Sequence, residues 1–172
     1  MLITPELSLL VTAVVIILLD LVIERKKLLT GLALAGVVVS GGVAAYLWGS
    51  TPQTAFNGLI SVDQFATFLK FIVLAAVALV ILSSVDYASR FPRLRGEYLA
   101  LILISAMGLM FLASARELIS IYVSLELSSI SLYILASFLK DSKSSEAGLK
   151  YLLLGAVASA VLLYGMTLIY GF

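Results

Sequence analysis

The stretch Leu118–Leu139, LISIYVSLELSSISLYILASFL, decides the fold of this chain and holds its most telling residue. It is 22 residues long and Glu126 is its only charged group. About 20 apolar residues cross the roughly 30 Å hydrocarbon core of a bilayer, so the stretch is predicted to be a transmembrane helix. An acidic side chain at mid-membrane costs roughly 2.5–3.5 kcal/mol on insertion scales. Such residues therefore face a bundle interior or a wet cavity, and serve ion or proton movement.

Glu126 sits eight residues into the stretch, about 12 Å from its start at helical rise. Residues three and four away share its face: Tyr122, Ser129 and Ile130, with Tyr133 one turn further. Ser124, Ser128 and Ser131 form a second small-polar stripe beside it. Two such stripes predict a helix lined by protein or water rather than by lipid. Burial disfavours an ionised carboxylate and a nearby cation favours it, which is the logic of a proton relay. The plainer alternative is a structural acid neutralised by a partner helix.

The rest of the chain is equally apolar. Of 172 residues, 62% are hydrophobic and only 12% charged, with a mean hydropathy of +1.17. A soluble domain needs a more polar surface. The ten-residue alternating segments of a membrane barrel are absent. The expected class is an all-α integral membrane protein, a single transmembrane domain over 1–172. Its six spans are Leu7–Ile23, Leu28–Trp48, Phe65–Val85, Tyr98–Ala115, Leu118–Leu139 and Ala147–Tyr170. The fourth and fifth are nearly continuous, so a tight turn is expected at Arg116-Glu117.

Basic residues set the orientation. Arg25, Lys26 and Lys27 follow the first span, Arg90, Arg93 and Arg95 the third, and Lys140 and Lys143 the fifth; only Arg116 lies on the other side. Both chain ends are therefore expected outside, with the basic loops cytoplasmic. No Lys or Arg precedes the first span, so it reads as an uncleaved helix rather than a signal peptide. Pro5, Pro52 and Pro92 lie outside the spans, which should accordingly be continuous. The spacings Gly31-xxx-Ala35, Gly36-xxx-Ser40 and Gly155-xxx-Ser159 read as helix-packing seams. After Tyr170 only Gly171 and Phe172 remain. Either the last helix ends flush with the membrane or the chain is the front part of something longer.

With no Cys and no His, the chain lacks the ligands for disulfides, iron–sulfur clusters, haem and the usual zinc sites. No Gly-rich phosphate loop follows a strand. The net charge of +1 implies no nucleic-acid partner. Among the other intramembrane charges, Lys150 follows Glu146 by four residues, an ordering that favours a helix; it reads equally as an interfacial anchor or a relay member. Lys70 is five residues into the third span, where snorkelling to the interface is the expected behaviour. Asp20, near the end of the first span, reads as interfacial.

Two segments carry a family resemblance. Ser124 to Phe138 (SLELSSISLYILASF) and Ser145 to Gly165 (SEAGLKYLLLGAVASAVLLYG) closely resemble the antiporter-like subunit N, or subunit 2, of proton-pumping NADH:quinone oxidoreductase, respiratory complex I. Pro5-Glu6-Leu7 and Asp63-Gln-Phe-Ala are similar to it as well. The resemblance implies a larger fold of about 14 helices, of which these six are the start. It implies proton translocation along a charged axis, driven by quinone reduction elsewhere. Glu126 and Lys150 match the family's relay residues on the fifth and sixth helices; Lys70, Tyr122, Ser129 and Tyr133 are candidate accessories. NADH, FMN, iron–sulfur clusters and quinone are expected in other subunits, which with the bilayer and protons are the implied partners. The chain itself would be a non-redox, non-catalytic part of the enzyme, most simply in a bacterial plasma membrane. A related cation/proton antiporter, a membrane-bound hydrogenase or a non-transporting scaffold are the alternatives.

Overall fold

In a computed structural model, the described residues are 2–22, 27–49, 53–87 and 94–171, with only the backbone of Lys27 and Gln53. Arg25, Lys26, Arg90, Arg93, Pro52 and Pro92 lie outside them. Six helices follow in order: α1 Thr4–Asp20, α2 Lys27–Leu47, α3 Gln64–Ser83, α4 Arg95–Ser114, α5 Leu118–Ala136 and α6 Ser142–Tyr170. Helices α2 to α6 are each long and apolar enough to cross a membrane, and α1 has 17 residues.

Helices in hydrocarbon satisfy their own backbone, leaving only the ends to be capped. Pro5 opens α1, where its missing N–H costs nothing. The Asp63 carboxylate accepts from Ala66 N at 2.8 Å and caps α3. Asp141 and Ser144 form a reciprocal capping box on α6, which therefore begins five residues before the expected Ala147. These hydrogen bonds hold the Asp141 carboxyl below the usual aspartate range, the Ser144 backbone N–H contributing most and its hydroxyl next.

Helices α1 to α4 form a four-helix bundle. α1 packs on α2 and α4, α3 packs on the same two, and α1 and α3 hardly touch across the diagonal. The core is Leu9, Ala13 and Ile16 of α1, Ala33 and Val37 of α2, Leu74, Val77 and Ile81 of α3, and a wide face of α4 around Leu99, Leu103 and Met110. α5 lies against α4, and α6 packs mainly against α5 among the described residues. The most buried helix is thus α4 and the least is α6.

A short hairpin departs from the all-helical expectation. Strands β1 Gln53–Ala55 and β2 Ile60–Val62 pair antiparallel beyond the end of α2, turning through Phe56, Asn57 and Gly58, all at positive φ. Arg116 N donates to Leu59 O at 3.0 Å, and Ile60 bridges Ala115. The hairpin is therefore tied to the three-residue turn between α4 and α5, and marks one end of the molecule. At the opposite end, Arg95 donates to Thr30 Oγ1 at 2.9 Å. Gly96 lets Asp20 settle over the first turn of α4: a Cβ there would lie 2.5 Å from Asp20 Cβ. A carboxylate is favourable at that position beside a helix N-terminus.

The glycine seams behave unequally. A Cβ on Gly36 would run into Thr12 of α1, and Ser40, fully buried, donates to Pro5 O at 2.9 Å. A Cβ on Gly155 would strike the Tyr133 ring, whereas Gly31 has nothing within 4 Å and Ala35 is exposed. Gly31-xxx-Ala35 is therefore not a seam among the described residues: spacing gives a stripe of small residues, but not the side it faces.

Candidate functional site around Glu126

Helix α5 has two working faces. Ser124, Ser128 and Ser131 are buried and meet α4, where Ser105 and Ser128 share a hydrogen bond at 3.0 Å. Gly108 makes this approach possible, since a Cβ there would lie 2.7 Å from Ser128 N and 3.0 Å from Ser124 O. The serine stripe is thus a packing surface, and it fixes the rotation of α5.

That rotation turns Tyr122, Glu126 and Tyr133 toward the seam with α6. Tyr133 stacks edge-on to Tyr151, with ring centroids 4.7 Å apart, and lies over Gly155. Eleven residues earlier on α5, Tyr122 lines a cavity of about 440 Å³ with Leu163, Met166, Thr167 and Tyr170 of α6. Tyr133 lines a second cavity, of about 520 Å³, whose wall includes Glu97, Ser137, Lys140 and Ser145. Glu126 lies between Tyr122 and Tyr133 along the same face of α5 by helical spacing, and lines neither cavity. The residue is partly buried, and its Oε1 is enclosed without a hydrogen-bond partner among the described residues. A buried carboxylate oxygen left without a donor is costly unless it carries a proton or meets water. Ser129, one turn on, is partly buried on the same face.

The other expected residues are not gathered here. Lys150 Nζ pairs with Glu146 Oε1 at 2.5 Å, four residues back on α6, and both side chains are about two-thirds exposed. It lies beside Tyr151, at the Tyr133 end of the seam. The seven residues from Tyr133 back to Glu126 amount to about 10 Å of helical rise, so the two charges do not meet. Because α6 starts at Ser142, Lys150 is eight residues into the helix rather than three.

Lys70 corrects the snorkelling expectation. It is 1% exposed, within the α1–α4 bundle, and its Nζ lies 2.6 Å from Glu6 Oε1, itself on a residue 1% exposed. A long side chain reaches for the interface when nothing holds it; here an opposite charge across the bundle does. Glu6 was missed because it precedes the first apolar run. The overlooked signal was Pro5-Glu6, a proline followed by an acid, which is the pattern of a first helical turn.

Comparisons with known proteins agree with the architecture. A family profile described as NADH:quinone oxidoreductase/Mrp antiporter, TM, matches residues 115–172, which contain α5 and α6. The chain is 44% identical over 169 residues to NADH-quinone oxidoreductase subunit N of Dehalococcoides mccartyi, covering 98% of this chain and 35% of that protein. It is 43% identical to the subunit N of Azorhizobium caulinodans, covering 98% and 36%. In structure it is similar to a chain of respiratory complex I from Thermus thermophilus, with a TM-score of 0.79, 32% identity, and coverage of 97% of this chain and 36% of that one. By sequence and fold together, nearly the whole chain is similar to subunit N of NADH-quinone oxidoreductases, and it spans about a third of the length of the relatives it matches.

Proposed function

We propose that this chain is part of a proton-translocating membrane-arm subunit of NADH:quinone oxidoreductase, with Glu126 as the group that takes up and passes on the proton. The observation that carries this reading is the placement of Glu126: an enclosed, unpartnered carboxylate oxygen on the helix face that runs between two cavities. Tyr122 and Tyr133 each line one of the cavities, and Ser129 lies between Glu126 and Tyr133 along α5. In this scheme a cation approaching Glu126 stabilises its ionised form, and withdrawal of that cation favours protonation. Remote quinone reduction would drive that alternation through neighbouring charged groups. Lys150, exposed and paired with Glu146 on α6, would supply that cation; Lys70 belongs to a separate cluster with Glu6.

The remaining expectations stand as parts of this proposal. The six helices would all cross the membrane with both ends outside and the basic loops cytoplasmic, as the start of a larger antiporter-like fold. Other membrane-arm subunits would be the partners, and the redox cofactors would reside elsewhere in the complex. The isolated chain would carry out no redox chemistry. A second reading, a subunit of a cation/proton antiporter, is favoured by the family profile, whose description spans both kinds of protein. Sodium dependence of transport separates the two.

A scaffold is distinguished by Glu126→Gln in the full-length subunit. Neutralising a purely structural buried acid removes a desolvation cost and leaves function intact. The proton-carrier reading expects Glu126→Gln to assemble, to unfold in detergent at the same or higher denaturant concentration, and to pump poorly. Unchanged pumping would exclude it.

A further inference from the structure

The Glu6–Lys70 pair has no place in the Glu126 scheme, and its surroundings point to a separate activity. The pair bridges α1 and α3, which otherwise hardly touch, inside the four-helix bundle. Lys70 Nζ is in ion-pair contact with Glu6 Oε1, yet neither Glu6 oxygen has a hydrogen-bond partner among the described residues. The Lys70 ammonium is thus the one donor group close to this carboxylate among the described residues, and Oε2 is left without any. No third charge compensates the pair within the bundle. The other charged residues of α1 to α4 are Asp20, Lys27, Arg95 and Glu97, all at the opposite helix ends; Asp20 is 14 residues from Glu6 along α1, about 21 Å. Ser40 of α2, the nearest buried hydroxyl on that helix, donates to the Pro5 carbonyl instead.

Stability alone gives little reason to keep such a pair, because two well-packed apolar side chains serve as well or better. Buried charges relieve their cost by neutralising, and here the route is direct. Moving one proton across 2.6 Å breaks a Lys70 N–H bond and forms a Glu6 O–H bond, leaving an amine and a carboxylic acid. The neutral pair then gains a proton at the amine or loses one from the acid.

A vestibule of about 470 Å³ at the hairpin end has Ser61, Asp63, Ser114 and Arg116 on its wall, with Phe65, Ala66, Ala113 and Ala115. Ala66, on the vestibule wall, is four residues before Lys70 on the same face of α3, so the Lys70 backbone lies one helical turn from the vestibule, which neither Glu6 nor Lys70 lines. Ser114 is 2% exposed, and its hydroxyl has no partner among the described residues. Deeper in the bundle, Leu9, Ala13 and Ile16 of α1 and Leu74, Val77 and Ile81 of α3 belong to one buried apolar core with residues of α2 and α4.

We propose that Glu6 and Lys70 form a second proton-exchanging site, which communicates with the hairpin side of the membrane only and works independently of Glu126. The test is infrared difference spectroscopy on the full-length subunit in its assembled complex, stepped in pH on the hairpin side. The expected result is a protonated-carboxyl C=O band that shifts in D2O, disappears in Glu6→Gln, persists in Glu126→Gln, and no longer responds to pH in Lys70→Met. If the single variants fail to assemble, Glu6→Leu/Lys70→Met removes both charges together; it should assemble and lose both the band and the associated proton uptake. A wild-type complex with no such band, or a double variant whose proton uptake equals the wild type, would overturn the proposal.

Discussion

Replacing Gly108 with alanine is expected to loosen α5 from α4, and the structure sets the size of the effect. The new Cβ would lie 2.7 Å from Ser128 N, 3.0 Å from Ser124 O and 3.1 Å from Ser128 Cα. These are backbone atoms, so no side chain can swing aside. Ordinary contact begins at 3.4 Å, so α5 must retreat by roughly 0.7 Å, and overpacking of this kind costs about 1–3 kcal/mol. The retreat strains the buried Ser105–Ser128 hydrogen bond of 3.0 Å, worth about 0.5–1.5 kcal/mol net. Against this, alanine gains up to about 1 kcal/mol over glycine in a helix interior. Gly31→Ala is the matched control: it has the same helical gain and nothing within 4 Å. The helical gain cancels between the two variants, which should therefore differ by about 1.5–4.5 kcal/mol, the overpacking and hydrogen-bond terms together. Denaturant unfolding of the full-length subunit in detergent measures the difference. Equal midpoints for the two variants would refute the tight α4–α5 crossing, and with it the rotation that turns Glu126 to the α6 seam.

Two further outcomes follow from the caps and the exposed charges. Asp141 should titrate below a free aspartate, because Ser144 stabilises its charged form; the capping contribution is therefore complete above the unfolded-state pKa and fades as pH falls through the folded one. The Asp141 side-chain carbon shift followed by NMR should show this, and Ser144→Ala, which keeps the backbone N–H and removes the hydroxyl, should raise the midpoint only part of the way to the free value; an unmoved midpoint would contradict the hydroxyl's share in the capping box. Glu146→Gln should change subunit stability by no more than about 0.5 kcal/mol, since an exposed i,i+4 pair contributes little. Any pumping defect it causes would then reflect the freed Lys150; a large loss of stability would show the pair to be structural.

The features legible in the sequence were those set by local pattern. Long apolar runs marked the helices, and an Arg116-Glu117 break too short for a loop marked the α4–α5 turn. Glu126 stood out because an acid in a 22-residue run with no other charge has a cost that no neighbouring charge in the run offsets. What escaped depended on partners distant in sequence. Lys70 is held by Glu6, 64 residues earlier, and no periodicity links α3 to the first turn of α1. The hairpin has strands of only three residues, too short for alternation to show. Serine spacing on α5 suggested two polar stripes, but only packing separated them, assigning Ser124, Ser128 and Ser131 to α4 and Glu126 to α6.

The central claim is that the Glu126 carboxyl carries a proton during turnover. The number of protons moved per electron by Glu126→Gln, in vesicles holding the assembled complex, tests it most directly, with Glu126→Asp alongside. The account predicts a reduced ratio for the glutamine variant and partial recovery for the aspartate, at equal assembly. A wild-type ratio in Glu126→Gln would contradict it.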